Sequence, residues 1–211
     1  MYVVCDHVTK KIKNRVILND ICLSLEKGKI HGFRGYNGSG KTMLLRAIAG
    51  LIKPSEGKVI VDQKTVGKDV PFPESVGVLI EYPSFIPDYT GYKNLLFLAK
   101  IRNKIDEETI RKTLRLVGLD PEDKRKYKKY SLGMKQRLGI AQAIMEDPEL
   151  LLLDEPTNAL DEKGIQLMVT VLKQLKQAGK TVIVTSHDRD FLEQVADDIY
   201  TISEGVVKIA Q

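Results

Sequence analysis

The eight residues Gly35-Tyr36-Asn37-Gly38-Ser39-Gly40-Lys41-Thr42 constrain the fold of this chain more than any other stretch. They match the full pattern of a phosphate-binding loop. Such a loop works between a strand and a helix, and both are expected here. Residues 29–33 read as a short buried strand. Residues 42–50 place Leu44, Leu45 and Ile48 on one helical face, with Gly50 as a cap. Strand, glycine loop and helix in that order predict an α/β fold. The glycines let successive backbone N–H groups turn inward on a phosphate, and the helix N-terminus adds a favourable field. The candidate nucleotide-binding set is Gly35, Asn37, Gly38, Ser39, Gly40, Lys41, Thr42 and Met43. Lys41 is expected to reach the β- and γ-phosphates of ATP, and Thr42 to offer its hydroxyl to Mg²⁺.

A second constellation is Leu150-Leu151-Leu152-Leu153-Asp154-Glu155-Pro156. The four leucines are apolar on both faces, as buried parallel strands are. A strand ending in Asp154 places a carboxylate beside the phosphate loop, where Mg²⁺ needs an oxygen partner. Glu155 is expected to face the γ-phosphate and to orient and polarise the attacking water. His187 follows another buried strand, residues 181–185, and is placed to hydrogen-bond the γ-phosphate. Lys41, Glu155 and His187 are therefore the candidate catalytic residues.

At 211 residues one domain, or one domain with an inserted lobe, is the natural reading. Residues 92–101, 106–117 and 136–145 carry helical periodicity, so 85–146 reads as a mainly helical lobe set into a core of 1–84 and 147–211. Residues 16–18 and 23–25 read as a strand pair, and 198–202 with 206–209 as a closing hairpin. No run approaches the ~18 apolar residues that cross a bilayer, and Lys10, Lys11 and Lys13 interrupt the start before a signal peptide could develop. Cys5 and Cys22 form no ligand cluster by spacing and read as buried, reduced side chains of a cytoplasmic protein. The net charge of +5 is modest, with one basic run at 124–129 that reads as a solvated face. Trp is absent and Tyr is spread out, so no nucleic-acid partner is expected.

Residues Tyr130-Ser131-Leu132-Gly133-Met134-Lys135-Gln136-Arg137 resemble the signature of ABC ATPases, usually written LSGGQ. Asn158-Ala159-Leu160-Asp161 resembles the family's D-loop. Phosphate loop, signature, acidic strand, D-loop and switch histidine occur in the family's order, over essentially the whole chain. The resemblance implies a P-loop NTPase with a RecA-like core, an N-terminal antiparallel β-subdomain and an inserted helical subdomain. It also implies a head-to-tail dimer, with a second copy or a paralogue. Ser131 and Gly133 of one subunit then close over the ATP held by the other, and Asp161 lies at the crossing.

Two positions depart from the family pattern. Its usual Gln after the central strand, a contact to Mg²⁺ and to the attacking water, is Glu81 here. A carboxylate adds negative charge near a triphosphate. With Pro83, Tyr89 and Thr90 it looks like the bacterial peptide-antibiotic resistance and lantibiotic self-protection transporters. The adenine-stacking aromatic falls at Ile12, which can pack on a base but cannot stack. The leading expectation is the peripheral ATP-hydrolysing motor of an exporter at the cytoplasmic face of the membrane. Its separate integral permease would dock on residues 81–92, between Glu81 and Tyr92, through Phe85, Ile86 and Tyr89. A soluble ABC machine for cofactor assembly, or acting on nucleic acid or the ribosome, is the other reading.

Overall fold

Leu150 and Leu152 of one buried strand belong to one hydrophobic core, and Leu151 and Leu153 to another. This alternation across a sheet buried on both faces organises the molecule. The computed structural model describes residues 1–81 and 83–209; Tyr82 of the expected docking stretch lies outside the described residues. In chain order the strands are β1 (Val3–Ile12), β2 (Arg15–Leu25), β3 (Ile30–Arg34), β4 (Glu56–Val61), β5 (Lys64–Thr65), β6 (Val76–Leu79), β7 (Leu150–Asp154), β8 (Thr181–Ser186), β9 (Asp198–Ser203) and β10 (Val206–Ile209). The helices are α1 (Lys41–Ile48), α2 (Gly91–Arg102), α3 (Glu107–Leu116), α4 (Leu132–Ile144), α5 (Glu162–Gln177) and α6 (Arg189–Val195).

One sheet has the order β10-β9-β3-β8-β7-β6 and is parallel except for β10. The other, β2-β1-β4-β5, is antiparallel. Helix α1 packs against β7 and β8 of the first sheet and against β2 and β4 of the second. Its buried Leu44, Leu45 and Ile48 join a core with Val3, Val59, Leu150, Leu152 and Ile183. The remaining helices cover the opposite face. Leu95, Ile110, Leu114 and Leu138 of residues 85–146 share one core with Leu79, Leu151, Leu153 and Val184. The helical stretch is thus rooted in the sheet through apolar contact. Side chains of Thr90, Asp106, Ser131, Asp161 and Asp188 each accept a backbone N–H at a helix start, which sets where five helices begin.

Three local expectations are corrected. Cys5 is buried, but Cys22 is exposed. Residues 16–18 and 23–25 are not a strand pair but parts of the single strand β2, paired with β1. The register shifts between Val8 and Lys10, and Asp20 opposite has φ 49. A bulge of this kind breaks the period-two alternation, so that buried Leu18 and Ile21 are three apart and the polar pair between them imitates a turn. Helix α4 starts at Leu132 rather than Gln136, because Ser131 Oγ accepts from the Met134 N–H at 3.2 Å and caps it there.

Strand β6 touches α4 at Gly77, where a Cβ would run into the Ala143 carbonyl oxygen. Gly77→Ala is therefore expected to destabilise the fold by about 1–3 kcal/mol through overpacking. A thermal melt should show a Tm lowered by roughly 2–4 °C per kcal/mol. An unchanged Tm would mean that this helix is not seated as described.

Candidate functional site

The phosphate-binding loop leaves β3 at Arg34 and enters α1 at Lys41. Gly40 sits at φ 112 at the helix start, a conformation open chiefly to glycine. Gly35 is needed for a different reason: a Cβ there would collide with the Ile202 carbonyl of β9. The loop frames a cavity of about 770 Å³ lined by residues 36–43 and by Asp154 and Glu155. That volume is in the range of nucleotide-sized sites.

Inside it the side chains are tied together. Lys41 is buried, and its Nζ donates to the carbonyls of Gly35 at 2.6 Å and Tyr36 at 3.3 Å. The same Nζ lies 3.3 Å from Glu155 Oε1. Thr42 Oγ1 donates to Asp154 Oδ2 at 2.7 Å, and Thr185 Oγ1 donates to Asp154 Oδ1 at 2.6 Å. The Glu155 N–H in turn donates to Thr185 Oγ1 at 3.0 Å. Glu155 takes φ 47 just past β7, which turns its side chain toward His187, whose Nδ1 is 2.9 Å from Glu155 Oε2. Gln136 of α4 holds the Glu155 carbonyl at 3.1 Å. Two polar atoms in this cluster are buried without a hydrogen-bond partner, Ser39 Oγ and Glu155 Oε1. Buried polar atoms normally find partners, and a phosphate oxygen and a water are the partners these two suit.

The donor set also fits Mg²⁺. A threonine hydroxyl and an aspartate carboxylate meet at one point beside the loop, and hard oxygen ligands of this kind, completed by water and phosphate, are what that ion takes.

A separate cavity of about 480 Å³ is lined by Ser131, Leu132, Gly133, Arg137, Ala159, Leu160 and Asp161. Signature and D-loop segments therefore meet within one chain, apart from the phosphate cavity. A Cβ on Gly133 would lie 2.8 Å from the Ala159 carbonyl, so only glycine allows this approach. Asp161 accepts from the Gly164 N–H at 2.9 Å and caps α5.

Two sequence-predicted residues, Ile12 and Glu81, fall elsewhere. Ile12 does not line the phosphate cavity; Arg15, Val16 and Ile17 do, together with Ser203, Glu204 and Gly205 of the β9–β10 turn. Glu81 is not brought to Thr42 and Asp154 but pairs with Arg46 at 2.7 Å. Phe85 is packed edge-on against Tyr127 at 5.3 Å, while Ile86 and Tyr89 are exposed. Thr185, which links both acidic residues, was not singled out; its place at the end of a buried strand, two residues before His187, is the signal that could have found it. Among the described residues no helix is long and apolar enough to cross a membrane.

Known proteins resemble this chain in sequence and in fold. The family profile described as ABC transporter matches residues 18–158. The chain is 44% identical over 205 residues to the uncharacterized ABC transporter ATP-binding protein YybJ of Bacillus subtilis, covering 97% of this chain and 94% of that one. It is 41% identical to the bacitracin transport ATP-binding protein BcrA of Enterococcus faecalis, covering 95% of this chain but 66% of that one. Among solved structures, the dimeric post-hydrolysis state of the ATP-binding cassette MJ0796, bound to ADP and Pi, superposes with a TM-score of 0.87 at 27% identity, covering 99% of this chain and 98% of that one.

Proposed function

Because this chain belongs to the ABC transporter family, we propose that it hydrolyses ATP as one half of a head-to-tail pair and powers export through a separate membrane permease. The observation that carries the proposal is the meeting of the phosphate loop with Asp154 and Glu155 around one cavity, with His187 bound to Glu155 from outside its lining. Lys41 exchanges its carbonyl partners for the β- and γ-phosphates. The loop N–H groups and the α1 N-terminus hold the phosphate oxygens. Glu155 accepts a proton from the attacking water, and His187 keeps that carboxylate in line. Thr42 and Asp154 would hold Mg²⁺, which would supply charge neutralisation to the triphosphate. Ser131 and Gly133 complete the site of the opposite subunit. The 85–146 stretch acts as the lobe that carries them, and Ile86 and Tyr89 meet the permease at the cytoplasmic face. The bacitracin transport relative supports a peptide antibiotic or another amphipathic compound as the exported substrate.

Gentle detergent solubilisation of native membranes and affinity capture of the tagged protein test the transport claim. A multi-span membrane protein in stoichiometric amount is expected. A soluble scaffold in its place would overturn export and leave the ATPase standing. Base selectivity gives a second test. Ile12 is nearly half exposed and outside the cavity lining, so it offers adenine no stacking surface. GTP is expected to compete within about tenfold, or ~1.4 kcal/mol. Competition binding that shows stronger discrimination would overturn the expectation of weak base selectivity.

A further inference from the structure

Spacing along the chain hides one cluster that the pairing of β1 with β2 assembles. His7 Nδ1 lies 2.7 Å from Asp20 Oδ1, and Cys22 Sγ lies 3.5 Å from the same nitrogen. The three ligand atoms all fall within 4.8 Å of one another, and all three residues are exposed. Offset bulges bring them together. From Cys5 to Val8 β1 takes three steps while β2 takes two, from Leu23 to Ile21; from Val8 to Lys10 the excess passes to β2, between Ile21 and Leu18. Bulges of this kind re-aim side chains. His7 sits at φ 51 and Asp20 at φ 49, a region in which His and Asp are enriched among non-glycine residues. Two neighbours fix the backbone there. A Cβ on Gly57 of β4 would run into the His7 carbonyl oxygen, so β4 leaves room for the bulge. The Asp20 N–H donates to Oγ1 of buried Thr9 at 3.0 Å. Cys22 alternates with buried Ile21 and Leu23 and so faces outward.

A thiolate, an imidazole nitrogen and a carboxylate oxygen are the ligand types that zinc takes. Around one tetrahedral Zn²⁺, at ~2.0–2.3 Å, such atoms stand roughly 3.3–3.8 Å apart. Small side-chain rotations bring the cluster to that spacing, with the 2.7 Å contact opening as the cation replaces the proton between His7 and Asp20. We propose that His7, Asp20 and Cys22 form a binding site for a divalent cation of the zinc class, which clamps β1 to β2. Three protein ligands leave the fourth position to water. Mg²⁺ takes oxygen ligands, so the ion that accompanies ATP is no competitor here. The three residues line neither the phosphate cavity nor the signature cavity. The site therefore stands apart from the ATP reading.

Cobalt(II) titration of the reduced, chelator-treated full chain tests the site, because Co²⁺ takes zinc's place and a bound thiolate gives a near-ultraviolet charge-transfer band. One equivalent is expected to give the band, and Zn²⁺ to bleach it. Cys22→Ser should abolish the band. His7→Gln and Asp20→Asn should each weaken Zn²⁺ binding by at least about tenfold, since even a residue that only supports a ligand costs that much when lost. Zn²⁺ should raise the Tm of the wild type in a concentration-dependent way, and that of Cys22→Ser far less. Phosphate release from Mg-ATP after chelation should be the same in the wild type and the three variants. No band, a full-strength band in Cys22→Ser, or unchanged Zn²⁺ binding in both His7→Gln and Asp20→Asn would overturn the site. A band that saturates at half an equivalent with dimer formation would overturn it too, because the cation would then bridge two copies. A wild type that shows the band but releases no phosphate would instead refute the hydrolysis reading alone.

Discussion

Glu155→Gln should lower steady-state phosphate release by about 10²–10⁴-fold, the range that a positioned general base contributes, while ATP binding persists. The amide keeps the size of the side chain and can still accept from His187, which now approaches Oε2 at 2.9 Å. It cannot take a proton from water. Affinity for ATP should hold or rise, because one negative charge leaves a cavity that must receive a triphosphate. The other carboxylate oxygen, Oε1, is buried and held only by the Lys41 ammonium at 3.3 Å, so it is the one left to act on a water once Lys41 turns to the phosphates. Phosphate release, calorimetric ATP affinity and size-exclusion chromatography with ATP check the three parts. The variant should elute as an ATP-dependent dimer. Hydrolysis at the wild-type rate would remove Glu155 from the base role.

Ser131→Arg should abolish ATP-driven dimerisation and lower hydrolysis by roughly 10²–10³-fold, the usual cost of losing a preorganised donor to a charged oxygen. Ser131 is exposed and lines a cavity of about 480 Å³, so a long cation there would occupy the space that the opposite subunit's ATP must enter. The lost helix cap is worth about 1 kcal/mol. Ser131→Ala loses the same cap without the bulk and separates the two effects. ATP affinity of the monomer should survive in both variants, because the phosphate cavity shares no lining residue with this one. An arginine variant that still dimerises with ATP would refute closure through this segment.

The site was legible wherever its residues are contiguous or end a strand. The phosphate loop needs unbroken spacing, and the leucines of β7 are apolar on both faces because both faces are buried. The helical stretch was legible from periodicity. What stayed hidden depends on residues far apart in the chain. The turn at Ser203, Glu204 and Gly205 lines the phosphate cavity only because β9 lies beside β3. Arg15 enters it through the hairpin register that sets Ile12 opposite Arg15. The bulges in β1 and β2 shift the alternation by one residue, and a local reading of pattern then mistakes one strand for two. The Arg46 partner of Glu81 joins a helix to a loop that lies beyond three intervening strands.

The phosphate cavity and the signature cavity lie on one polypeptide without sharing a wall. If each is half of a composite site, a solitary molecule carries both halves and can complete neither. Turnover per molecule is then a function of concentration, rising with it in dilute solution and levelling once pairs predominate. A permease that binds two copies side by side replaces that bulk dependence with a fixed local concentration. Throughput is then set by how many pairs are seated at the membrane rather than by how much protein is free around it.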